Sequence, residues 1–218
     1  MVVDYAVILA LVLAGEWLVP RLPVSHLTTN SLLTALGVAY IFLALYRDGF
    51  CYRQIGLRIS GFLPSLAVFL LPALVMLAPL LLYKLRLGTL AVPGELLLWE
   101  AAGYLAWAFS QQLAAVGIFW RHLADLVGLT PNTPLLSRQN LTVSLTTALI
   151  FSLVHAPNPG LMVLTFIAEA VWLTPFLRHR NLFALALVHA FAATIVGEVL
   201  APLPGLPHLK VGMGYFTP

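Results

Sequence analysis

A small set of polar side chains stands inside, or at the ends of, strongly apolar stretches of this chain. His155 closes the run LTVSLTTALIFSLVH, Asn158 follows between Pro157 and Pro159, Glu169 lies in TFIAEAVW, and His189 lies in NLFALALVHAF. Upstream, Gln111 and Gln112 fall in the middle of LAWAFSQQLAAVGIFW. An ionisable group at the centre of a hydrocarbon layer costs about 2.5–3.5 kcal/mol on insertion scales, so such groups face a bundle interior and mark functional positions. A neutral imidazole can take a proton from water or donate one to a developing oxyanion, which is the chemistry of hydrolysis. Glutamine and asparagine amides offer donors and acceptors that match a peptide backbone.

Each residue also has a purely structural reading. A histidine in a last helical turn can bond the final carbonyls or favour the helix dipole. Glutamines in a span can be interhelical glue at about 0.6–2 kcal/mol per bond. Glu169 can be a protonated carboxyl capped by Trp172 or a hydroxyl, since burial disfavours the charged form. Glu100, Tyr104, Trp107 and Gln111 are spaced by four, three and four residues and share one helical face, with Gln112 turned about 100° from Gln111. Two histidines fall short of the three protein ligands of catalytic zinc, and no HExxH spacing is present, so neither a metal nor a cofactor is expected.

The elements that must position these groups are membrane helices. The 218 residues are 61% hydrophobic and 9% charged, with a mean hydropathy of +0.97; soluble domains carry about 25% charged residues. The net charge of +3 comes from basic residues standing singly, which gives no nucleic-acid footprint. The lone Cys51 excludes an internal disulfide. Hydropathy predicts an all-α, polytopic transmembrane bundle with about seven spans: Val2–Val19, Leu27–Tyr46, Phe62–Tyr83, Leu96–Trp120, Leu141–His155, Gly160–Leu177 and Leu182–Leu200. Barrel strands are excluded because the runs lack a period of two. Residues 1–200 then form a single transmembrane domain and 201–218 a Pro- and Gly-rich tail, read as unstructured or folded back over the cavity, with disorder as the prior.

The N-terminal run lacks a basic start and is interrupted by Glu16, so it reads as a first span and not as a cleaved signal. Seven loop arginines (47, 53, 58, 121, 138, 178 and 180) fall on the side of the N-terminus, against Arg21, Lys84, Arg86 and Lys210 opposite, which predicts a cytoplasmic N-terminus. Residues 51–60, CYRQIGLRIS, read as an interfacial amphipathic segment with Ile55, Leu57 and Ile59 buried. On straight helices Gln111 lies about 14 Å in, His155 roughly 20–25 Å and His189 about 10–12 Å, so tilt, kinks or displaced ends are needed to bring them together.

The set Phe151-Ser-Leu-Val-His155, then HAPNP, a span, and RHRNLFALALVHA up to His189, with Gly56-Leu57-Arg58 after the second span, resembles the CAAX-protease and bacteriocin-processing family of intramembrane proteases. The likeness covers about residues 50–197. It implies a CAAX-protease-like bundle in a bacterial cytoplasmic membrane that cuts a membrane-anchored protein or peptide. In that family the first glutamate of a pair activates water, and histidines and an asparagine support the oxyanion. This chain is a divergent member on that reading, with Gln111 and Gln112 at the glutamates, Val116 at the arginine and Ala193 at the last asparagine. A neutral amide takes no proton, so His155 becomes the expected base, with Gln111, Gln112 and Asn158 as donors and Glu169 orienting His155 or His189. Two other classes stay open: a non-catalytic member that holds membrane protein segments, and a proton relay through Glu16, Glu100, Glu169, Glu198 and the histidines.

Overall fold

The computed structural model describes residues 2–23, 25–90, 95–201 and 209–216. Within them the chain forms seven long helical rods and one short terminal turn. The rods are α1 (Val2–Arg21), α2 (His26–Arg47), α3 (Phe62–Arg86), α4 (95–126), α5 (Arg138–Leu153), α6 (Pro159–Phe176) and α7 (Leu182–Leu200). A 3₁₀ turn covers Gly212–Phe216. Five rods, α1, α2, α3, α6 and α7, are long and apolar enough to cross a membrane. Their outward leucines and valines, such as Leu63, Leu71 and Val75 on α3, fit a lipid environment.

The other two rods fall outside that set for separate reasons. α5 has only 16 residues, and α4 carries Glu100, Ser110, Gln111 and Gln112 within its apolar run. α4 also runs on past Trp120 to Leu126.

Helix starts are set by short polar side chains that accept a free backbone N–H. Ser137 caps α5 through Asn140 N, Asn158 caps α6 through Leu161 N, and Asn181 caps α7 through Ala184 N. Pro159 occupies the first turn of α6, where its missing N–H is not needed. Three rods widen into a π-helical turn: Ala14–Leu18 in α1, Ala115–Trp120 in α4 and Ile195–Leu200 in α7. One glycine lies in each, Gly15, Gly117 and Gly197.

α7 is the central helix. Two thirds of its apolar window (67%) is buried, against 17–28% for the other four candidate spans. Lipid tails are as apolar as leucine, so the bundle is held by close packing and by hydrogen bonds between helices. Trp120 meets Phe176 edge-on at 5.5 Å, and Phe69 stacks on Phe176 at 6.3 Å. The Trp172 indole of α6 donates to the Phe69 carbonyl of α3 at 3.1 Å, joining the two helices. Asn140, fully buried, joins the start of α5 to the end of α6 by donating to the Leu135 and Thr174 carbonyls.

Residues 51–60 bear out the burial expected of Ile55 and correct that of Ile59. They form turns that dock on the start of α7: Leu182 N donates to Gly56 O at 2.8 Å, Arg58 Nε to Arg180 O at 2.8 Å, and Asn181 Nδ2 to Arg58 O at 2.9 Å. Ile55 enters the core while Ile59 is 84% exposed. Gly56 is required here. Its φ is +83°, and a Cβ would lie 2.9 Å from the backbone of residues 180–182.

Candidate functional site

Helices α1, α2, α3, α4, α6 and α7, the end of α5 and the described tail line a cavity of about 440 Å³. His155, His189 and Gln111 all line it. The mismatch of depths on straight helices disappears for two reasons. α4 continues to Leu126, so Gln111 lies about 22 Å from its end, close to the roughly 25 Å from Arg138 to His155. The start of α7 is recessed, with Asn181 and Leu182 fully buried beneath residues 56–58.

His155 stands just beyond the end of α5, and its Nδ1 lies 2.8 Å from the carbonyl oxygen of Phe151. A carbonyl only accepts, so Nδ1 carries the proton and Nε2 of the neutral ring holds the lone pair. The Phe151 ring lies between the two imidazoles, with centroids 5.1 Å from His155 and 5.8 Å from His189. His189 is held the opposite way. Gln112 Nε2 donates to His189 Nδ1 at 3.0 Å, so the neutral ring carries its proton on Nε2. Trp172 and Tyr104 pack at 5.8 and 6.1 Å from the same ring.

The second N–H of Gln112 goes to Glu169 Oε2 at 2.8 Å. Gln112 and Glu169 are both fully buried and lie behind the cavity wall. This corrects two expectations. Glu169 reaches His189 through the Gln112 amide and makes no described contact with His155, and Gln112 has spent both its N–H bonds on other side chains. Nor is Glu169 capped by Trp172, whose indole goes to Phe69. Glu169 Oε1 and Gln112 Oε1 find no partner among the described residues. Gln111 differs: it faces the cavity with Oε1 buried and no hydrogen-bond partner described for it.

Asn158 does donate to a backbone carbonyl, but to one of the tail and from outside the cavity lining. Its Oδ1 caps α6, and its Nδ2 donates to the Lys210 carbonyl at 3.3 Å, so its amide holds backbone and does not line the cavity. The tail is ordered where described. Leu209 and Val211 line the cavity, and Gly212 N donates to Ala156 O at 2.9 Å. Arg21 donates to Met213 Sδ, and Phe216 packs 6.4 Å from Trp17. The disorder expectation therefore fails for residues 209–216; the part of it that concerns 202–208, with Pro202 and Pro204, lies outside the described residues.

The shared face of Glu100, Tyr104, Trp107 and Gln111 all lines the cavity, as its spacing predicts. So do Glu16 and Glu198, named in the sequence only as steps of a proton path. Their signal is the pair Gly15-Glu16 and Gly197-Glu198, each within a π turn, a feature that recurs at functional sites because it re-aims side chains.

A second polar cluster sits where α1 begins and α2 and α4 end. Asp4 accepts from Tyr40 at 2.9 Å and from Arg47 at 3.0 Å, and Asp48 accepts from Arg47 at 2.9 Å and Arg121 at 2.6 Å. Burial pulls the Asp48 carboxyl up, but hydrogen bonds from Arg121 and Arg47 outweigh it and leave its pKa below the ordinary value. Arg121 also donates to His122 Nε2, which keeps that ring neutral; burial first, then the Arg121 charge, lowers its pKa. Ligand atoms of Asp4, Asp48 and His122 lie within 4.8 Å of one another. Both carboxylates already face guanidinium groups, so the donor set fits an ion-pair network and not a divalent cation.

Comparison of the chain with protein-family models, with curated proteins and with solved structures returns no match.

Proposed function

We propose that this chain is an intramembrane endopeptidase in which His155 is the general base and His189 the oxyanion donor. One observation carries the proposal: two imidazoles from separate segments line one cavity in opposite tautomers, one offering a lone pair at Nε2 and the other an N–H. His155 Nε2 takes a proton from water as the water oxygen bonds the scissile carbonyl carbon. The carbonyl oxygen becomes the oxyanion and accepts from His189 Nε2–H, with the Gln111 amide within the same wall. Collapse re-forms the carbonyl, breaks the C–N bond, and returns the proton from His155 to the leaving amine. Glu169 acts only through Gln112, and both are positioning residues. The order FxxxH, HAPNP and a second histidine, similar to CAAX-type proteases, supports the same reading, as does the chain's apolar surface. On it α4 and α5 also cross the bilayer, giving seven spans with a cytoplasmic N-terminus.

A second reading, a non-catalytic holder of membrane segments, is favoured by the neutral Gln111 where a protease of this kind carries a base. Co-expression with membrane-anchored reporter proteins separates the two. The enzyme reading expects a size shift that is lost in His155→Ala and in His189→Ala. Cleavage that persists in both variants, or capture of reporters with none cut, sinks it.

A further inference from the structure

The tail crosses the cavity in the manner of a bound peptide. Leu209 and Val211 line the cavity while Lys210 between them is exposed, the two-residue alternation of an extended chain. Its backbone is held at two points beside His155: Asn158 Nδ2 donates to Lys210 O, and Gly212 N donates to Ala156 O. Leu209 packs against Gly197, where an added Cβ would lie 3.1 Å from Leu209 Cδ1. On the far side the tail presses on the π turn of α1. Gly212 has φ +54°, and a Cβ there would sit 2.4 Å from Glu16 O, so only glycine fits.

We infer that Ala156 O and Asn158 Nδ2 form a backbone clamp for an extended peptide, and that residues 209–212 occupy it in cis as an autoinhibitory segment. A substrate must displace the tail, pairing its own carbonyl with Asn158 and its own N–H with Ala156. The inference rests on the peptide-site reading of the cavity, but docking can be measured without turnover.

The test uses the full chain, with Cys51→Ala removing the exposed thiol and Leu209→Cys reporting on the tail through its rate of maleimide labelling. Gly212→Val, and separately Gly212→Pro, which also removes the N–H given to Ala156, expel the tail. Labelling in both variants rises by roughly tenfold or more, the equivalent of losing about one net hydrogen bond with its packing. A fluorescein-labelled peptide HLKVGMGYFTP, residues 208–218, then binds the two glycine variants and not the parent. Asn158→Asp, which keeps the cap oxygen and deletes the donor, weakens that binding by about fivefold to tenfold. Unchanged labelling in both glycine variants, or equal peptide binding to parent and variants, overturns the inference. Peptide binding that survives while no reporter is ever cut removes the hydrolytic reading and leaves the clamp standing. Cleavage with no peptide binding does the reverse.

Discussion

His155 Nδ1 bonds the carbonyl oxygen of Phe151 at 2.8 Å, exactly one FxxxH interval back along the chain. The four-residue spacing places that carbonyl one turn below the ring, so the motif sets the tautomer and turns Nε2 outward. The same Phe151 contributes its ring to both histidines. The helix-end reading of His155 and the catalytic one are thus the same arrangement seen from its two nitrogens.

Removing the base is expected to cost most. His155→Ala should lower cleavage of a membrane-anchored reporter by about 10²–10⁴-fold, and His189→Ala by about 10²–10³-fold. His155→Ala should keep the parent's thermal midpoint within a few degrees, whereas His189→Ala, which leaves a buried Gln112 N–H without its acceptor, should lower it. The ratio of cleaved to intact reporter on a gel is the measurement, and equal rates in all three proteins would refute the assignment.

Gln112→Leu leaves two buried groups, Glu169 and His189 Nδ1, without the donor they share. Each orphaned group costs about 1–3 kcal/mol, so the thermal midpoint in detergent should drop sharply. Adding Glu169→Leu should recover part of the loss, because an apolar pair leaves fewer unsatisfied atoms. A double variant less stable than Gln112→Leu alone would contradict this.

Gly56→Ala adds a methyl group against the backbone of residues 180–182 at a φ of +83°. Strain of this kind costs roughly 1–3 kcal/mol, and it falls on the contact that recesses α7. Lower thermal stability together with lower reporter cleavage is expected, while Gly103→Ala, where a Cβ meets nothing within 4 Å, should change neither.

Acid should destabilise the end of the bundle that holds Asp48 and His122. Both folded-state pKa values lie below their ordinary values, so the unfolded chain binds more protons and stability falls as pH falls. The His122 contribution is complete above its unfolded pKa of about 6.5 and is lost as pH drops through the lower folded value. The Asp48 contribution follows at more acid pH, discounted because that carboxylate is partly exposed. Thermal midpoints between pH 8 and pH 5, on the order of the range where imidazole titrates, should show a slope that His122→Gln reduces; an unchanged slope would exclude His122 as its source.

Composition and hydropathy alone specify an all-helical membrane chain, because apolar runs near 20 residues have few other ways to satisfy their backbone in lipid. Local spacing is equally legible: the face of Glu100, Tyr104, Trp107 and Gln111, and the bond from His155 to Phe151, follow from 3.6 residues per turn. What tertiary structure alone decides is which groups meet. Whether Gln112 finds Glu169 and His189, 57 and 77 residues away, depends on how three helices are offset. The recess of α7 under Gly56, the continuation of α4 past Trp120 and the return of the tail onto Ala156 and Asn158 set those offsets. Each is a contact between distant segments, and the physical reason it is illegible in sequence is that no local periodicity encodes the depth at which one helix stands against another.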